Sequence, residues 1–161
     1  MVDEIHIGEL IKKQMDESGR KAEWLADQIG CVPDNIYWIW RQKYIDPEQL
    51  IKICFHLETY FFVHYSEYIR QQVPLSERKY RVGDKIHIGI LIQHRMNEEG
   101  RKTKWLAKNI HRSRSQIYKI YDYEHIKIEL LISISILLKT DFFSIYSEYV
   151  NRKIREKCDK L

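Results

Sequence analysis

Hydrophobic residues in the first half of the chain recur every three or four positions, the spacing of one face of a helix. Ile7, Leu10, Ile11 and Met15 form the first such face, and Gly19 follows it, a residue type that commonly ends a helix. Four further faces follow before residue 72, separated by short polar breaks. The pattern predicts five helices: one that stops at Gly19, then residues 21–28, residues 33–41, a segment that begins at Pro47, and residues 61–70.

The apolar side of each predicted helix is expected to face a common core. In the first five helices the expected core residues are Trp24, Leu25, Ile36, Ile39, Trp40, Leu50, Ile51, Ile53, Leu57, Tyr65 and Tyr68. A later series consists of Leu91, Trp105, Ile117, Ile120, Leu131, Ile134, Phe142 and Tyr146. The spacing of the later series matches that of the first.

The chain contains the same sequence twice, with substitutions. Residues 5–29 read IHIGELIKKQMDESGRKAEWLADQI and residues 86–110 read IHIGILIQHRMNEEGRKTKWLAKNI. The offset of 81 positions holds without a gap as far as Tyr68 and Tyr149, and about half of the paired positions are identical. A repeat of this length exceeds the 20–45 residues of a solenoid unit and is typical of a complete small domain.

These patterns predict an all-α fold of two tandem five-helix domains. The first domain covers residues 1–72 and the second covers residues 86–161. Residues 73–85, which are polar and contain Pro74 and Gly83, are expected to form a linker. The basic C-terminal tail, NRKIREKCDKL, continues the last helix and is expected to pack on its own domain; a phosphate-contacting arm or an oligomer contact is the alternative.

Charge is distributed unevenly between the two copies. Residues 1–80 carry 10 Lys and Arg against 13 Asp and Glu, whereas residues 81–161 carry 17 against 10. The first copy is mildly acidic and the second is basic, which favours a polyanionic partner for the second. The hydrophobic fraction of 44% and the charged fraction of 31% are ordinary for a globular protein and argue against wholesale disorder.

The sequence argues against a membrane protein and against an enzyme. No apolar run approaches the roughly 18 residues of a membrane span, and the Met-Val-Asp-Glu start is unlike a secretory signal. Cys31, Cys54 and Cys158 lack metal-ligand spacing and are expected to be reduced thiols. His6 and His87 each stand alone at a helix start and are not expected to bind a ligand. With no Gly-rich phosphate loop and no acid–base carboxylate pair, a cytoplasmic protein without a metal or cofactor is expected.

Residues 102–121, KTKWLAKNIHRSRSQIYKIY, have the spacing of a helix-turn-helix. Ala107 is small where two helices must cross, Ile110 lies in the turn, and Ile117 and Ile120 anchor the second helix. Here the chain resembles the phage-repressor-like (lambda-repressor-like, Xre-type) helix-turn-helix family. It is still more similar to short bacterial regulators that open IHIG, contain WLA and IYKI, and close with FF and YSE. The resemblance covers both copies and implies compact five-helix domains whose third helix enters the DNA major groove.

The resemblance implies a set of DNA contacts in the second copy. The implied base-reading residues are Arg114, Ser115, Gln116, Tyr118 and Lys119, while Ile117, Ile120 and Tyr121 turn inward. The implied phosphate contacts are Arg101, Lys102, Lys104, Lys108, Arg112 and Ser113. The chemistry agrees, because Arg binds guanine O6 and N7 with two hydrogen bonds, Gln does the same for adenine, and basic side chains neutralise phosphates.

Some of these residues also have purely structural interpretations. Ser113 and Gln116 form the S-x-x-Q pattern of a capping box, in which Gln116 folds back on the helix start instead of reading a base. The Arg-Lys pair at 101–102 recurs at 20–21 in the acidic copy, so a solvated helix start is the alternative to a phosphate contact. Both alternatives remain open at the level of the sequence.

The first copy differs where the second is expected to contact DNA. Residues 30–35 read GCVPDN in place of HRSRSQ, Trp38 replaces Lys119, and two lysines of the preceding helix become Glu23 and Asp27. The first copy therefore keeps the fold and loses much of the attraction for DNA. Its possible contacts are Arg20, Lys21, Asp34, Asn35, Tyr37, Trp38, Arg41 and Lys43.

Two functions remain open. The leading hypothesis is a bacterial or phage-type transcriptional regulator that binds specific double-stranded DNA with the third helix of the second copy. If both copies bind, their different third helices predict an asymmetric site; otherwise the first copy is expected to bind a protein partner or a second chain. The alternative is a protein-interaction module, such as a repressor antagonist, for which an exposed Trp38 would suit the interface.

Overall fold

The structure is a computed structural model and describes residues 5–76, 80–81 and 83–160. These residues contain ten α-helices and no strand, so the predicted all-α class is confirmed. The first half, residues 5–76, contains α1 (Ile7–Glu17), α2 (Ala22–Ile29), α3 (Pro33–Trp40), α4 (Pro47–Leu57) and α5 (Val63–Gln72). The second half, the described residues from 80 to 160, contains α6 (Ile88–Glu98), α7 (Thr103–Asn109), α8 (Arg114–Asp122), α9 (Ile128–Leu137) and α10 (Phe143–Asp159).

The helices of the first half begin and end within two residues of the predicted positions. Pro33 and Pro47 occupy the first turn of α3 and α4, where the amide hydrogen that proline lacks has no partner within the helix. Gly19 follows the end of α1 with φ of 71°, a left-handed conformation that glycine adopts without strain. Short-range signals therefore predicted these elements correctly.

The expected core is confirmed at its centre, and the remaining expected residues are only partly buried against it. The expected residues that are completely buried are Leu25, Ile36, Ile39, Leu50, Ile53, Tyr65, Ile117, Leu131, Ile134, Phe142 and Tyr146. Those that are only half-buried, and pack against the core from its edge, are Trp24, Trp40, Ile51, Leu57, Tyr68, Leu91 and Trp105.

Two of the tryptophans at the rim of the core each have one face covered by an arginine. The Arg20 guanidinium lies 4.1 Å from the ring centroid of Trp24, and the Arg101 guanidinium lies 4.5 Å from that of Trp105. A guanidinium above an indole ring is attracted by the electron-rich face of the ring. The repeated Gly-Arg-Lys sequence thus has a structural role in both halves.

The two repeated histidines begin the first helix of each half. His6 Nδ1 accepts a hydrogen bond from the amide of Glu9 at 3.1 Å, and His87 Nδ1 accepts one from the amide of Ile90 at 3.1 Å. Each ring satisfies an amide that has no partner within its helix. These bonds give both histidines a capping role.

The two repeated glycines bring the first helix of each half against the end of the third. The Gly8 amide donates to the Gln42 carbonyl oxygen at 2.9 Å, and the Gly89 amide donates to that of Tyr123 at 3.0 Å. A Cβ atom at either glycine would lie 2.3 Å from a carbonyl oxygen of α3 or α8. Only glycine permits this approach of the two backbones.

The two halves pack through reciprocal contacts. The helix pairs and ring pairs between them have counterparts in which the equivalent residues of the two halves are interchanged. α4 packs against α10, and the equivalent helix α9 packs against α5. The Phe62 ring stacks on Tyr146 with centroids 4.6 Å apart, and the equivalent rings of Phe143 and Tyr65 lie 5.0 Å apart. All four rings are completely buried. Such reciprocal contacts characterise two surfaces related by a two-fold axis, here within one chain.

Described residues of the expected linker pack on the second half. The Ser76 amide donates to the Lys139 carbonyl oxygen at 2.9 Å, and the Tyr80 ring stacks on Phe142 with centroids 6.2 Å apart. Residues 77–79 and 82 of the same segment lie outside the described residues. The buried apolar side chains of both halves belong to one continuous cluster.

The C-terminal helix extends beyond its counterpart and reaches the first half. α10 has 17 residues, whereas α5 has 10. Ile154 is buried, and Lys157 Nζ lies 3.6 Å from Glu58 Oε1 and 4.9 Å from the ring centroid of Phe55. The tail was predicted to pack on its own domain; instead its Lys157 contacts Phe55 of α4 and Glu58, the residue after α4.

Candidate nucleic-acid interface

α7 and α8 pack against each other. Ala107 on α7 and Ile117 on α8 are both buried. In the turn, the Arg112 amide donates to the Ala107 carbonyl oxygen at 2.9 Å. His111 adopts φ of 57°, where the first half has Gly30 at 75°. This left-handed turn sets the direction in which α8 leaves α7.

A capping box holds the start of α8. Ser113 Oγ accepts from the Gln116 amide at 3.2 Å, and Gln116 Oε1 accepts from the Ser113 amide at 2.8 Å. Ser115 Oγ lies 3.0 Å from Ser113 Oγ. The structural interpretation of the S-x-x-Q pattern is therefore confirmed. Because the Gln116 oxygen is engaged in the cap, a two-bond contact with adenine would require the cap to open.

The outer face of α8 is polar and exposed. The predicted base-reading residues Arg114, Ser115, Gln116, Tyr118 and Lys119 are all exposed. Ile117, Ile120 and Tyr121 are buried, which confirms their predicted inward orientation. Within the residues that the structure describes, neither Arg114 nor Lys119 takes part in an ion pair. Both cations are thus presented to solvent on one helix.

Basic side chains surround this face on α7 and the turn. The predicted phosphate contacts Arg101, Lys102, Lys104, Lys108, Arg112 and Ser113 are all exposed. Two of them also have local partners, because Arg101 covers the Trp105 ring and Ser113 caps α8. Local packing does not explain the positions of the remaining cations of the set. These are Lys102, Lys104, Lys108 and Arg112.

Exposed apolar and aromatic side chains lie on α3 of the first half and just before it, next to the polar Asp34 and Asn35. The exposed fractions of Val32, Tyr37 and Trp38 are 59%, 40% and 50%. The Tyr37 ring lies edge-on to Trp40 with centroids 5.3 Å apart, and its hydroxyl makes a long hydrogen bond of 3.5 Å to Glu23. All of the possible first-copy contacts are exposed: Arg20, Lys21, Asp34, Asn35, Tyr37, Trp38, Arg41 and Lys43.

The charges that flank the two third helices are arranged in opposite order. Arg41 and Lys43 follow α3, whereas Asp122 and Glu124 occupy the equivalent positions at the end of α8. All four side chains are exposed. The second half is basic before its third helix, and the first half is basic after it.

The junction between the halves contains a histidine that sequence reasoning missed. His125 Nδ1 lies 2.7 Å from the Tyr146 hydroxyl oxygen. Burial lowers the pKa of His125, against the opposing effect of Glu48 and Glu124. The equivalent residue in the first half is Tyr44, so neither the repeat nor a motif singles out this position. A groove of about 570 Å³ beside it is lined by residues that include Asp46, Glu48, Lys52, His125 and Lys127.

The remaining chemistry of the described residues is sparse. Burial raises the pKa of the Cys54 thiol to about 12, which keeps it protonated. No group of three or more His, Cys, Asp or Glu side chains in the described residues is placed to hold a metal ion. No helix among the same residues is long and apolar enough to cross a membrane. No family model, no curated protein and no solved structure matches the chain significantly.

Proposed function

We propose that the chain is a sequence-specific, double-stranded-DNA-binding transcriptional regulator whose α8 reads the major groove. In this proposal the chain consists of two tandem five-helix lambda-repressor-like domains, residues 1–72 and 86–161, and acts in the cytoplasm without catalysing a reaction. The observation that carries the proposal is the outer face of α8, which is capped, exposed and polar, and which lies beside basic side chains of α7.

In this proposal the two cations on α8 make most of the hydrogen bonds to bases. Arg114 can donate two parallel hydrogen bonds to guanine O6 and N7, and Lys119 can donate to the same acceptors. Gln116 keeps its oxygen in the capping box, so its amide nitrogen is the group that remains to donate to a base. The capping box thereby fixes the helix start while leaving the NH2 group of Gln116, with its two N–H donors, for recognition.

Phosphate binding falls to the basic residues before α8. Lys104 and Lys108 lie one helical turn apart on α7, and Arg112 lies in the turn. Cations in this arrangement neutralise phosphates and release counterions, which supplies affinity that depends on salt and is independent of base sequence. Such contacts would position α8 over the groove.

The proposal is tested by separate Arg114→Ala and Lys119→Ala variants on a duplex selected from a random pool by the full chain. Each is expected to weaken binding by roughly 5- to 150-fold, because a good base contact contributes about 1–3 kcal/mol. Lys104→Ala is expected to weaken binding to all duplexes and to reduce the salt dependence by about 0.9 in the log–log slope. Fluorescence anisotropy at several salt concentrations measures both quantities.

Lys13→Ala is the matched control, since Lys13 is an exposed lysine on α1 and its loss is expected to leave binding unchanged. If Arg114→Ala and Lys119→Ala both leave duplex affinity and salt dependence untouched, α8 is not the reading helix.

One observation favours a second candidate, a protein-interaction module or repressor antagonist on a retained helix-turn-helix fold. The Trp38 indole is half exposed on α3, and exposed tryptophans often anchor protein interfaces. This candidate expects no sequence-selective duplex binding by the full chain, together with a protein partner whose binding is lost in Trp38→Ala. The selection from random duplexes separates it from the proposed function.

A further inference from the structure

The ring pairs Phe62–Tyr146 and Tyr65–Phe143 join the two halves reciprocally, and each half holds its third helix through the same contact with its first. In each half a glycine amide bonds to the backbone beyond the third helix, at Gly8 and Gly89. The third helices are therefore held in equivalent ways within their own halves.

At two positions on or next to α3 the first half has apolar groups where the second half has polar ones. Trp38 stands in place of Lys119, and Val32 stands in place of Ser113. Val32 is 59% exposed and Trp38 is 50% exposed. The exposed Tyr37 lies on the same helix, and Tyr118 is its equivalent on α8. This face is built for an apolar contact flanked by polar groups.

The charges around α3 remain compatible with a polyanion. Arg20 and Lys21 precede α2, and Arg41 and Lys43 follow α3; all four are exposed. Asp34, in the first turn of α3, is an acceptor that suits cytosine N4 and repels phosphate. The first half therefore has cations at both ends of its α2–α3 pair, with the exposed acids Glu23, Asp27 and Asp34 between them, and exposed apolar side chains at the centre.

The geometry points to a duplex target with two unlike half-sites, of which the first half binds one that contains thymine. In the major groove the thymine C5-methyl is the apolar group that a base edge presents. Trp38, with Val32 and Tyr37, packs on such methyls, while Arg41 and Lys43 contact the flanking phosphates. This inference rests on the proposed function, since it assigns the second half-site of the same DNA.

The test removes the methyl groups and nothing else. A duplex is selected from a random pool by the full chain, and the thymines of one half-site at a time are replaced by deoxyuridine, which lacks only the C5-methyl. Loss of one buried methyl is expected to raise Kd by about fourfold. The effect is expected in one half-site, and it is expected to disappear in Trp38→Ala, whose affinity for the thymine duplex is already reduced.

Two variants serve as controls. Lys119→Ala is expected to lose affinity and keep the deoxyuridine effect, because it acts on the other half-site. Helical circular dichroism checks that Trp38→Ala is folded, as the half-exposed position of Trp38 leads us to expect.

The outcomes separate this inference from the proposed function. A selected site with identical halves overturns the inference, and so does a deoxyuridine effect that is equally large in Trp38→Ala or absent from the wild type. In these cases selective duplex binding, and with it the proposed function, still stands. A selection that enriches no duplex overturns the proposed function itself.

Discussion

At the scale of single residues, a glycine in the first helix of each half allows that helix to pack closely against the third. Gly8 and Gly89 lie where a Cβ would be 2.3 Å from a backbone oxygen, much closer than a van der Waals contact. The amide of each glycine donates to the backbone just beyond the third helix. A side chain at either position would push α1 from α3, or α6 from α8, and break these hydrogen bonds.

We therefore expect Gly89→Ala to destabilise the protein by about 3 kcal/mol, the upper end of the usual cost of overpacking. The urea concentration at the midpoint of unfolding measures the effect. Gly83→Ala is the control, because a Cβ at Gly83 would meet nothing closer than 4.0 Å. Equal midpoints for the two variants would show that the helices have room to move apart.

At the scale of elements, the features that could be predicted are those encoded by neighbours in sequence. Pro33 and Pro47 predicted helix starts, and the S-x-x-Q pattern predicted the capping box of Ser113 and Gln116. The sequence could not decide whether Gln116 caps or reads, because both uses require an exposed Gln at that position. The structure shows that the Gln116 oxygen caps the start of α8.

The rim tryptophans and the tail could not be predicted for a different reason. Periodicity marks Trp24 as apolar and cannot show that Arg20 covers its outer face. The contact of Lys157 with Glu58 joins residues far apart in the chain, and no local pattern encodes it. The stacking of Phe62 on Tyr146 was missed for the same reason, although the repeated Phe-Phe pair was a visible signal of an aromatic surface.

The tail of α10 makes a prediction at this scale. Ile154→Ala is expected to destabilise the protein by about 2 kcal/mol, since Ile154 is 8% exposed and its loss leaves a cavity at the edge of the core. Lys157→Ala is expected to cost less than about 1 kcal/mol, because its ion pair with Glu58 is partly exposed. Arg155→Ala is the control, since Arg155 is exposed on the same helix. Urea unfolding compares the three, and an Ile154→Ala midpoint equal to that of Arg155→Ala would contradict the packing role.

At the scale of the whole molecule, the halves are joined by buried aromatic rings, with one titratable group beside them. His125 bonds to Tyr146 at this junction, and burial lowers its pKa from 6.5, while Glu48 and Glu124 act in the opposite direction and His87 in the same one. The folded protein therefore binds this proton less readily than the unfolded chain does. Stability from this group is complete above about pH 6.5 and is lost as the pH falls through the lowered pKa.

We expect His125→Gln to reduce the loss of stability between pH 7.5 and pH 5. Burial also lowers the pKa of His56, so part of the pH dependence should remain in the variant. Thermal or urea unfolding at several pH values measures it, with His64→Gln as the matched histidine replacement on α5. A pH dependence identical in His125→Gln and the wild type would exclude this histidine as a contributor.

The reciprocal ring pairs have a consequence for how the protein behaves when it is scarce. Two subunits that met through such a surface would separate on dilution and would exchange with related subunits in the same cell. Here Phe62 and Tyr146, like Tyr65 and Phe143, belong to one polypeptide, so neither dilution nor exchange can separate them without unfolding. Each molecule therefore carries both α3 and α8 at every concentration, and under the proposed function the occupancy of a DNA target would rise in proportion to the number of chains and not to its square.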